Sequence, residues 1–349
     1  KELIFLQSIG PRLGGLLTKD IGELKRIFLS PGPIFDPEDR MDDYWGYTEA
    51  FYSVGFRPGD VVQVTFNYHL SPAGLMFEEP LRNLGCASIP AGPTDPGTQL
   101  DIMQKLRVSG YVGTASYLMH LAQKAEEKGI NLRKDLFQEV AFVTGERLSE
   151  KMRNQLEKKF DIILRQGYGT ADVGCIGYEC FHKTGLHISN RCYVEICHPD
   201  TGIPLKDGEV GEIVVTSFNK TYPLIRLATG DLSYIDRAPC ACGRTSPRLG
   251  SIVGRVDTTA RIKGMFVYPH QVEQVMARFE DIKRWQIEVI NPGGIDEMIL
   301  YVEASNFHQE DELLHLFRER IKLRPELKVL APGTLPPQIK PIEDKREWD

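Results

Sequence analysis

The sequence predicts an α/β protein. It has a large domain built on a parallel sheet with helices on its faces, a β-rich subdomain within it, and a small α+β domain at the C-terminal end. Three observations lead there. From about residue 60 to 170, short apolar runs alternate with amphipathic helical patterns. After residue 190 the texture changes to short strands joined by tight turns. Near residue 256 it changes again, to a proline-started helix, two strands and a last helix. A chain of 349 residues is long for one core, and the division falls at 1–255 and 256–349.

The elements follow in order. Residues 39–54 ("EDRMDDYWGYTEAFYS") carry apolar residues at helical spacing and predict a helix. After the turn "RPGD", residues 61–66 predict a strand. Residues 73–84 predict a helix and "CASIP" (86–90) a short buried strand. "PGTQLDIMQKLRVSG" and "ASYLMHLAQKAEEKG" predict two helices, each closed by a glycine. Then come a strand in "EVAFVTG", a helix "SEKMRNQLEKKF" opened by Ser149, and a strand "DIILRQGYG". "RCYVEIC", "GEVGEIVVTS" and "DLSYID" predict the strands of a β-rich subdomain at about 178–250. "PHQVEQVMARF" places Val272, Val275, Met276 and Phe279 on one helix face. Strands at 284–290 and 297–304 and a helix at 309–323 complete the small domain. There is no internal repeat.

Charge and hydropathy exclude several function classes. Lys and Arg number 42 and Asp and Glu 48, so the net charge is −6, with no basic block to bind nucleic acid. No apolar run reaches the roughly 18 residues that a membrane span needs. No signal peptide is visible, and a cytoplasmic protein is expected. Seven cysteines, an odd count, argue against a disulfide framework and leave metal binding or core packing.

Four stretches carry residues suited to nucleotide chemistry. "QGYGTADVG" (166–174) offers two close glycines, the aromatic face of Tyr168, the Thr170 hydroxyl and the Asp172 carboxylate, a hard ligand suited to magnesium. "FVTGERLSEKMR" (142–153) places Gly145 and Glu146 where a strand gives way to a helix, the position at which open α/β sheets bind ligands. "PLIRLATGDLSYI" (223–235) sets Asp231 at the start of a strand, where a carboxylate can accept from two ribose hydroxyls. "GSIVGRVDTTARIKGMFVYP" (250–269) spans the domain boundary, with Arg255 able to hold phosphate or ribose oxygens and Asp257 at a hinge position. Each stretch alone is equally readable as a glycine turn, a charged loop, a turn aspartate or a surface arginine.

In this order and spacing the four resemble the adenylate-forming superfamily of acyl-CoA synthetases, and most closely its phenylacetate–CoA ligase branch. "RPGDVVQVTFNYHL", "GLMFEEPLRNLGCASIPAG", "YGTADVG", "PLIRLATGDL", "CACGRTSPRLGSIVGRVD" and "YPHQVEQV" carry the likeness, from about Thr18 to the C-terminal end. The resemblance implies that fold and two half-reactions. ATP and a carboxylate give an acyl-adenylate and pyrophosphate, and the thiol of CoA then takes the acyl group. It implies adenine and adenylate contacts from Gly145, Glu146, Tyr168, Gly169 and Thr170, and a magnesium role for Asp172. It implies ribose binding by Asp231, with Arg255 beside it, and a hinge at Asp257 on which a mobile C-terminal domain reorients. Tyr68 and His69 fall in the segment lining the acyl pocket. Lys340 falls where such enzymes carry a lysine bridging carboxylate and α-phosphate, although Ile339 stands in place of the usual preceding glycine.

One stretch departs from the pattern. The family's phosphate loop reads Ser-Ser-Gly-Thr-Thr-Gly-Lys-Pro. Here "SPGPIFDP" aligns with it, keeping Ser30, Gly32 and Pro37 and placing Asp36 where the lysine would be. Pro31 and Pro33 remove two backbone donors. The expectation is that Asp36 faces and repels the triphosphate, or that the prolines turn the loop away and Asp36 meets solvent.

The cysteines supply a separate constellation. Cys180 and His187 in "CFHKTGLH", with Cys240 and Cys242 in "CAC", give four soft ligands, enough for a closed tetrahedral zinc site. His182 and His198 compete for the histidine place, and buried cysteines with a lone histidine are the plain alternative. Zinc-bearing relatives in the branch resembled favour a structural zinc. The functional expectation is therefore an AMP-forming ligase for an aromatic carboxylic acid, with ATP, magnesium, structural zinc and CoA. A homodimer is compatible with it. The alternative is a degenerate homologue that binds nucleotide or aryl acid without turnover, or one that delivers the acyl group to another acceptor.

Overall fold

The computed structural model describes residues 2–30, 33–256, 259–262, 265–292 and 297–346. The expected hinge residue Asp257 lies outside them. The chain begins with helix α1 (Glu2–Ile9), then a hairpin of β1 (Arg26–Ser30) and β2 (Ile34–Glu38). Helix α2 (Thr48–Val54) leads to β3 (Val61–Val64), α3 (Ala73–Asn83), β4 (Ala87–Pro90), α4 (Pro96–Lys105), β5 (Gly110–Gly113) and α5 (Ala115–Glu127). β6 (Val140–Val143), α6 (Glu150–Phe160), β7 (Ile163–Thr170) and β8 (Gly174–Glu179) follow. The β-rich part holds β9 (Leu186–Ile188), β10 (Cys192–Cys197), β11 (Gly211–Ser217), β12 (Leu227–Ser233), β13 (Ile235–Asp236), β14 (Arg248–Leu249) and β15 (Gly254–Arg255). The C-terminal domain holds β16 (Ala260–Ile262), β17 (Met265–Val267), α7 (Pro269–Met276), β18 (Arg284–Ile290), β19 (Glu297–Glu303), α8 (Glu310–Ile321), β20 (Glu326–Leu330) and β21 (Ile342–Asp344).

Nine strands form the main sheet, in the order β13-β14-β9-β8-β7-β6-β5-β3-β4. The half from β4 to β7 is parallel, as the alternation of strands and helices predicts. From β7 onward every pairing is antiparallel. Helices α2 and α3 cover one face through an aromatic cluster in which Tyr47 meets Phe77 at 4.8 Å and Phe51 meets Phe142 at 5.0 Å between ring centroids. Helices α4, α5 and α6 cover the other with Leu100, Leu118, Leu121 and Leu156. Side chains cap their starts, Ser149 as the sequence predicted and Asp95 and Thr114 in addition. Asp95 accepts from the Thr98 N–H at 3.0 Å, Thr114 from Tyr117 at 3.2 Å, and Ser149 from Met152 at 3.2 Å. A second sheet, β10-β11-β12-β15, packs against the antiparallel end. The strands expected to form one β-rich subdomain are thus shared between two sheets.

The C-terminal domain is a four-stranded sheet, β20-β19-β18-β21, with α7 and α8 burying Val272, Val275, Leu313 and Phe317 in a core of its own. No helix among the described residues is long and apolar enough to cross a membrane.

Three expectations change. Only Thr48–Val54 of the stretch 39–54 is helical. Asp43, at φ 50°, turns the chain and accepts from the Tyr47 and Thr48 N–H groups at 2.9 and 3.2 Å, so the helix starts only after it. Gly110 does not close α4 but opens β5, an unforeseen strand. A Cβ there would lie 2.6 Å from the Phe56 ring and 2.9 Å from Val62, so the glycine serves packing. The stretch aligned with the phosphate loop is the end of a hairpin, with Ser30 paired to Ile34 and Phe28 to Asp36.

The parallel and antiparallel halves meet over a buried ion pair. Arg153 of α6 donates to both Glu179 oxygens of β8, at 2.8 and 2.7 Å, and Glu179 also accepts from the Gln166 N–H of β7 at 2.8 Å. Arg153→Met leaves that carboxylate buried without its counter-charge and should cost about 3–5 kcal/mol, read from urea unfolding, much of it restored by adding Glu179→Leu. A cost near that of an exposed pair, at most about 1 kcal/mol, would contradict this placement.

Candidate active site

Strands β7, β12 and β15 bring three of the expected residues together. The Tyr168 hydroxyl donates to Asp231 Oδ2 at 2.8 Å and lies 3.2 Å from Thr229 Oγ1. Arg255 Nη1 donates to Asp231 Oδ1 at 3.0 Å, across a β12–β15 pairing in which Asp231 and Arg255 are direct partners. Asp231 was expected at the start of a strand. It lies inside β12, which begins four residues earlier at Leu227, paired with Val215. Gly230, at φ 78°, leaves room for the guanidinium, since a Cβ there would lie 2.8 Å from Arg255 Nη2. The result is a carboxylate oriented by a phenol and a guanidinium, suited to accept from neighbouring hydroxyls. Burial, then the Asp231 charge, push the Tyr168 phenol well up, so it stays a donor.

The two glycines beside Tyr168 have another reason than the one the sequence suggested. A Cβ on Gly167 would lie 2.2 Å from the Phe142 ring. One on Gly169 would lie 2.2 Å from the Gly174 carbonyl oxygen and 2.3 Å from the Tyr47 hydroxyl. Both are required by core packing, whatever approaches from outside. Thr170 Oγ1 accepts from the Val173 N–H at 3.2 Å and closes the turn that carries Asp172.

Asp172 does not stand alone. Asp36 of β2 faces it, although Asp36 was expected to meet triphosphate or solvent. Alternation along the hairpin places Phe28, Ser30 and Asp36 inward, and Asp36 is 1% exposed. Burial, then the Asp172 charge, push the Asp36 carboxyl up to about 8, and burial also raises Asp172.

Glu146 is engaged, not free. Its carboxylate accepts from the Ser116 N–H at 2.6 Å and the Ser116 hydroxyl at 2.8 Å, capping α5 after the turn at Gly145. The neighbouring Arg147 donates to Glu273 of α7 at 3.1 Å, a contact between the large and the C-terminal domain. Tyr68 packs its ring over Gly74, where a Cβ would come within 2.6 Å, and burial pushes its phenol up. His69 is exposed and, with Ser30, Pro33, Asn67 and Leu70, lines a cavity of about 700 Å³ beside the hairpin. Lys340 is exposed on the approach to β21, its carbonyl accepting from Gln286 Nε2 at 3.3 Å. The structure thus places it beside the edge strand of the C-terminal sheet.

The second constellation assembles as the spacing predicted. Cys180 after β8, His187 on β9, and Cys240 and Cys242 in one turn place their ligand atoms within 4.8 Å of one another. Cys180 Sγ lies 3.7 Å from Cys240 Sγ, and Cys242 Sγ 3.3 Å from His187 Nε2. A tetrahedral zinc with sulfur at about 2.3 Å places sulfurs about 3.8 Å apart, close to the separation of Cys180 and Cys240, so the donor set suits that ion. His187 Nδ1 lies 3.3 Å from the Ser246 hydroxyl, which can set the ring's orientation. His182 and His198 are not in this group, the only such group of three or more among the described residues.

Known proteins share this architecture. The family described as AMP-binding enzyme matches residues 45–220, and its C-terminal domain matches 264–346. The phenylacetate-coenzyme A ligase of Thermus thermophilus is 32% identical over 307 residues, 82% of this chain and 69% of that one. That of Pseudomonas putida is 30% identical over 257 residues, 72% of this chain and 58% of its own length. That of Escherichia coli is 28% identical over 318 residues, 84% of this chain and 71% of that one. Among solved structures, an open conformation of 2-hydroxyisobutyryl-CoA ligase, in complex with 2-HIB-AMP and CoA, superimposes with a TM-score of 0.85. It is 22% identical and covers 99% of this chain and 80% of that one, a likeness of fold.

The packing role of Gly169 is measurable without any ligand. Gly169→Ala should cost about 1–3 kcal/mol by overpacking, whereas Gly22→Ala, with nothing within 4 Å of the new Cβ, should be near neutral. Equal thermal stability of the two variants would show that Gly169 is not there for packing.

Proposed function

Because the chain belongs to the AMP-binding enzyme family, we propose that it is an AMP-forming acid–thiol ligase that activates an aromatic, phenylacetate-like carboxylic acid with ATP and passes the acyl group to CoA. The carboxylate attacks the α-phosphorus, the bond to the β-phosphate breaks and pyrophosphate leaves. The CoA thiolate then attacks the acyl carbon and AMP leaves. The observation that carries this reading is the Tyr168–Asp231–Arg255 group, an oriented carboxylate of the kind that holds a ribose. The names of the relatives in Thermus, Pseudomonas and Escherichia supply the class of acid and the acceptor.

Each residue has a part in this reading. Asp231 accepts from the two ribose hydroxyls and Arg255 keeps the carboxylate aimed. Tyr168, Gly169, Thr170 and Gly145 border the adenylate, while Glu146 acts by fixing the start of α5 beside it. Tyr68 and His69 border the acyl group. Lys340 reaches the carboxylate and α-phosphate only after the domain from about 256 onward turns on Asp257. Asp172 holds magnesium, which when bound offsets phosphate charge. Cys180, His187, Cys240 and Cys242 hold a structural zinc that ties β8 and β9 to the 240–242 turn. All seven cysteines are free of disulfides, in keeping with a cytoplasmic location.

The test is carboxylate-dependent ATP–pyrophosphate exchange over a panel of aryl acids, with thioester formation followed on adding CoA. Exchange with an arylacetate and thioester only with CoA is expected; no exchange with any acid would end the reading. Asp231→Ala should weaken AMP binding by about a hundredfold, the worth of two charge-assisted hydrogen bonds. Unchanged calorimetric affinity for AMP would remove the ribose assignment. Protein prepared without added zinc should carry about one zinc per chain, and Cys240→Ser should lose both metal and stability.

A further inference from the structure

The hairpin that stands in place of a phosphate loop offers no cation toward the site. Its basic side chains are engaged at the base instead. Lys25 pairs with Glu38 at 3.0 Å and Glu79 at 2.7 Å, and Arg26 with Glu38 at 2.9 Å. What points inward is Asp36, 1% exposed, against Asp172 in the β7–β8 turn. Neither Asp36 oxygen has a hydrogen-bond partner of normal geometry, and Asp172 Oδ1 has none either. The Ser30 hydroxyl lies beside Asp36 but is turned to the Ile34 carbonyl at 3.4 Å.

Asp36, which is buried, faces the half-buried Asp172, and two carboxylates so placed repel each other unless a proton or a cation lies between them. The unpartnered, nearly fully buried oxygens of Asp36 are aimed at that space. Oxygen donors alone, compact and anionic, suit a small hard cation that keeps water or phosphate in its remaining positions. We propose that Asp36 and Asp172 together hold one divalent cation of the magnesium type, so that the hairpin supplies a metal ligand where a phosphate loop would supply a lysine.

The use of this cation rests on the ligase reading above. Its binding does not. With the cation in place the pair changes from a net repulsion for a triphosphate to an attachment point for it. Asp36 then restores by way of the metal the positive charge that its own substitution removed. The chain therefore needs a divalent cation to accept ATP, whereas AMP, which lacks the β- and γ-phosphates, binds without one.

The experiment uses the full chain, zinc loaded and nucleotide free, with manganese as the probe, free ion being read by electron paramagnetic resonance. One manganese site displaced by magnesium is expected. Asp36→Asn and Asp172→Asn should each weaken it at least tenfold, with zinc content unchanged. Excess magnesium should raise the melting temperature of the parent and leave that of Asp36→Asn where it is. Parent-like manganese affinity in Asp36→Asn would overturn the proposal and leave the two carboxyls sharing a proton. So would a parent that binds no manganese. The arms separate from those of the ligase reading: Asp36-dependent manganese binding without pyrophosphate exchange removes the enzyme reading alone. Exchange with Asp36-independent manganese binding removes this one alone.

Discussion

The Glu179 carboxylate is the constraint on which the site depends. It gathers the guanidinium of Arg153 from α6 and the N–H of Gln166 from β7 while itself belonging to β8. At this place the main sheet changes from parallel to antiparallel. The end of β7 carries Tyr168 and Thr170, and the turn into β8 carries Asp172. The residue after Glu179 is Cys180, the first donor of the cysteine–histidine group. A buried charge is a poor source of net stability, but a bidentate pair specifies position sharply. Here it sets the register from which both the β7–β8 turn and the cysteine–histidine cluster are measured.

That register explains how side chains distant in sequence meet. Asp231 and Arg255 are neighbours because β12 and β15 pair, and Tyr168 reaches them across the joint between two sheets. Cys180 and Cys240 are 60 residues apart yet their sulfurs lie 3.7 Å apart, since β9 and β14 pair and return the chain to the end of β8. In both cases strand pairing does the positioning, and the functional side chains need little local structure of their own. Such sites tolerate changes in the loops between strands and are sensitive to slips of pairing.

The legible parts of the sequence were those in which local chemistry and tertiary role agree. Ser149 caps its helix because its side chain satisfies one of the first free N–H groups, whatever lies beyond. The order of the motifs singled out Tyr168, Asp231 and Arg255, which the fold brings together, and the four soft donors, which it gathers. What stayed hidden depended on partners distant in the chain. Gly110 reads as a helix stop until Phe56 and Val62 are seen to occupy the place of its side chain. The stretch 39–47 has helical spacing, but Asp43 spends its carboxylate on turning the backbone. Gly167 and Gly169 read as an opening for a ligand and answer to Phe142 and Tyr47.

Asp36 was the hardest to read, for an electrostatic reason. A charged residue in a proline-flanked stretch reads as loop, because an isolated carboxylate avoids the interior. Its neighbours tell otherwise once the period of two is applied: Phe28 and Ser30 on β1 and Asp36 and Glu38 on β2 are all buried, and Glu38 meets Lys25 and Arg26. Glu38 thus finds its counter-charges on the hairpin itself. Asp36, two residues along the same face, is left to Asp172. In sequence the hairpin aligns with the phosphate loop of the family resembled, with a carboxylate where that loop has a lysine. A carboxylate pair of this kind is neutralised either by a shared proton or by a cation, and the choice between them decides how the hairpin meets a phosphate.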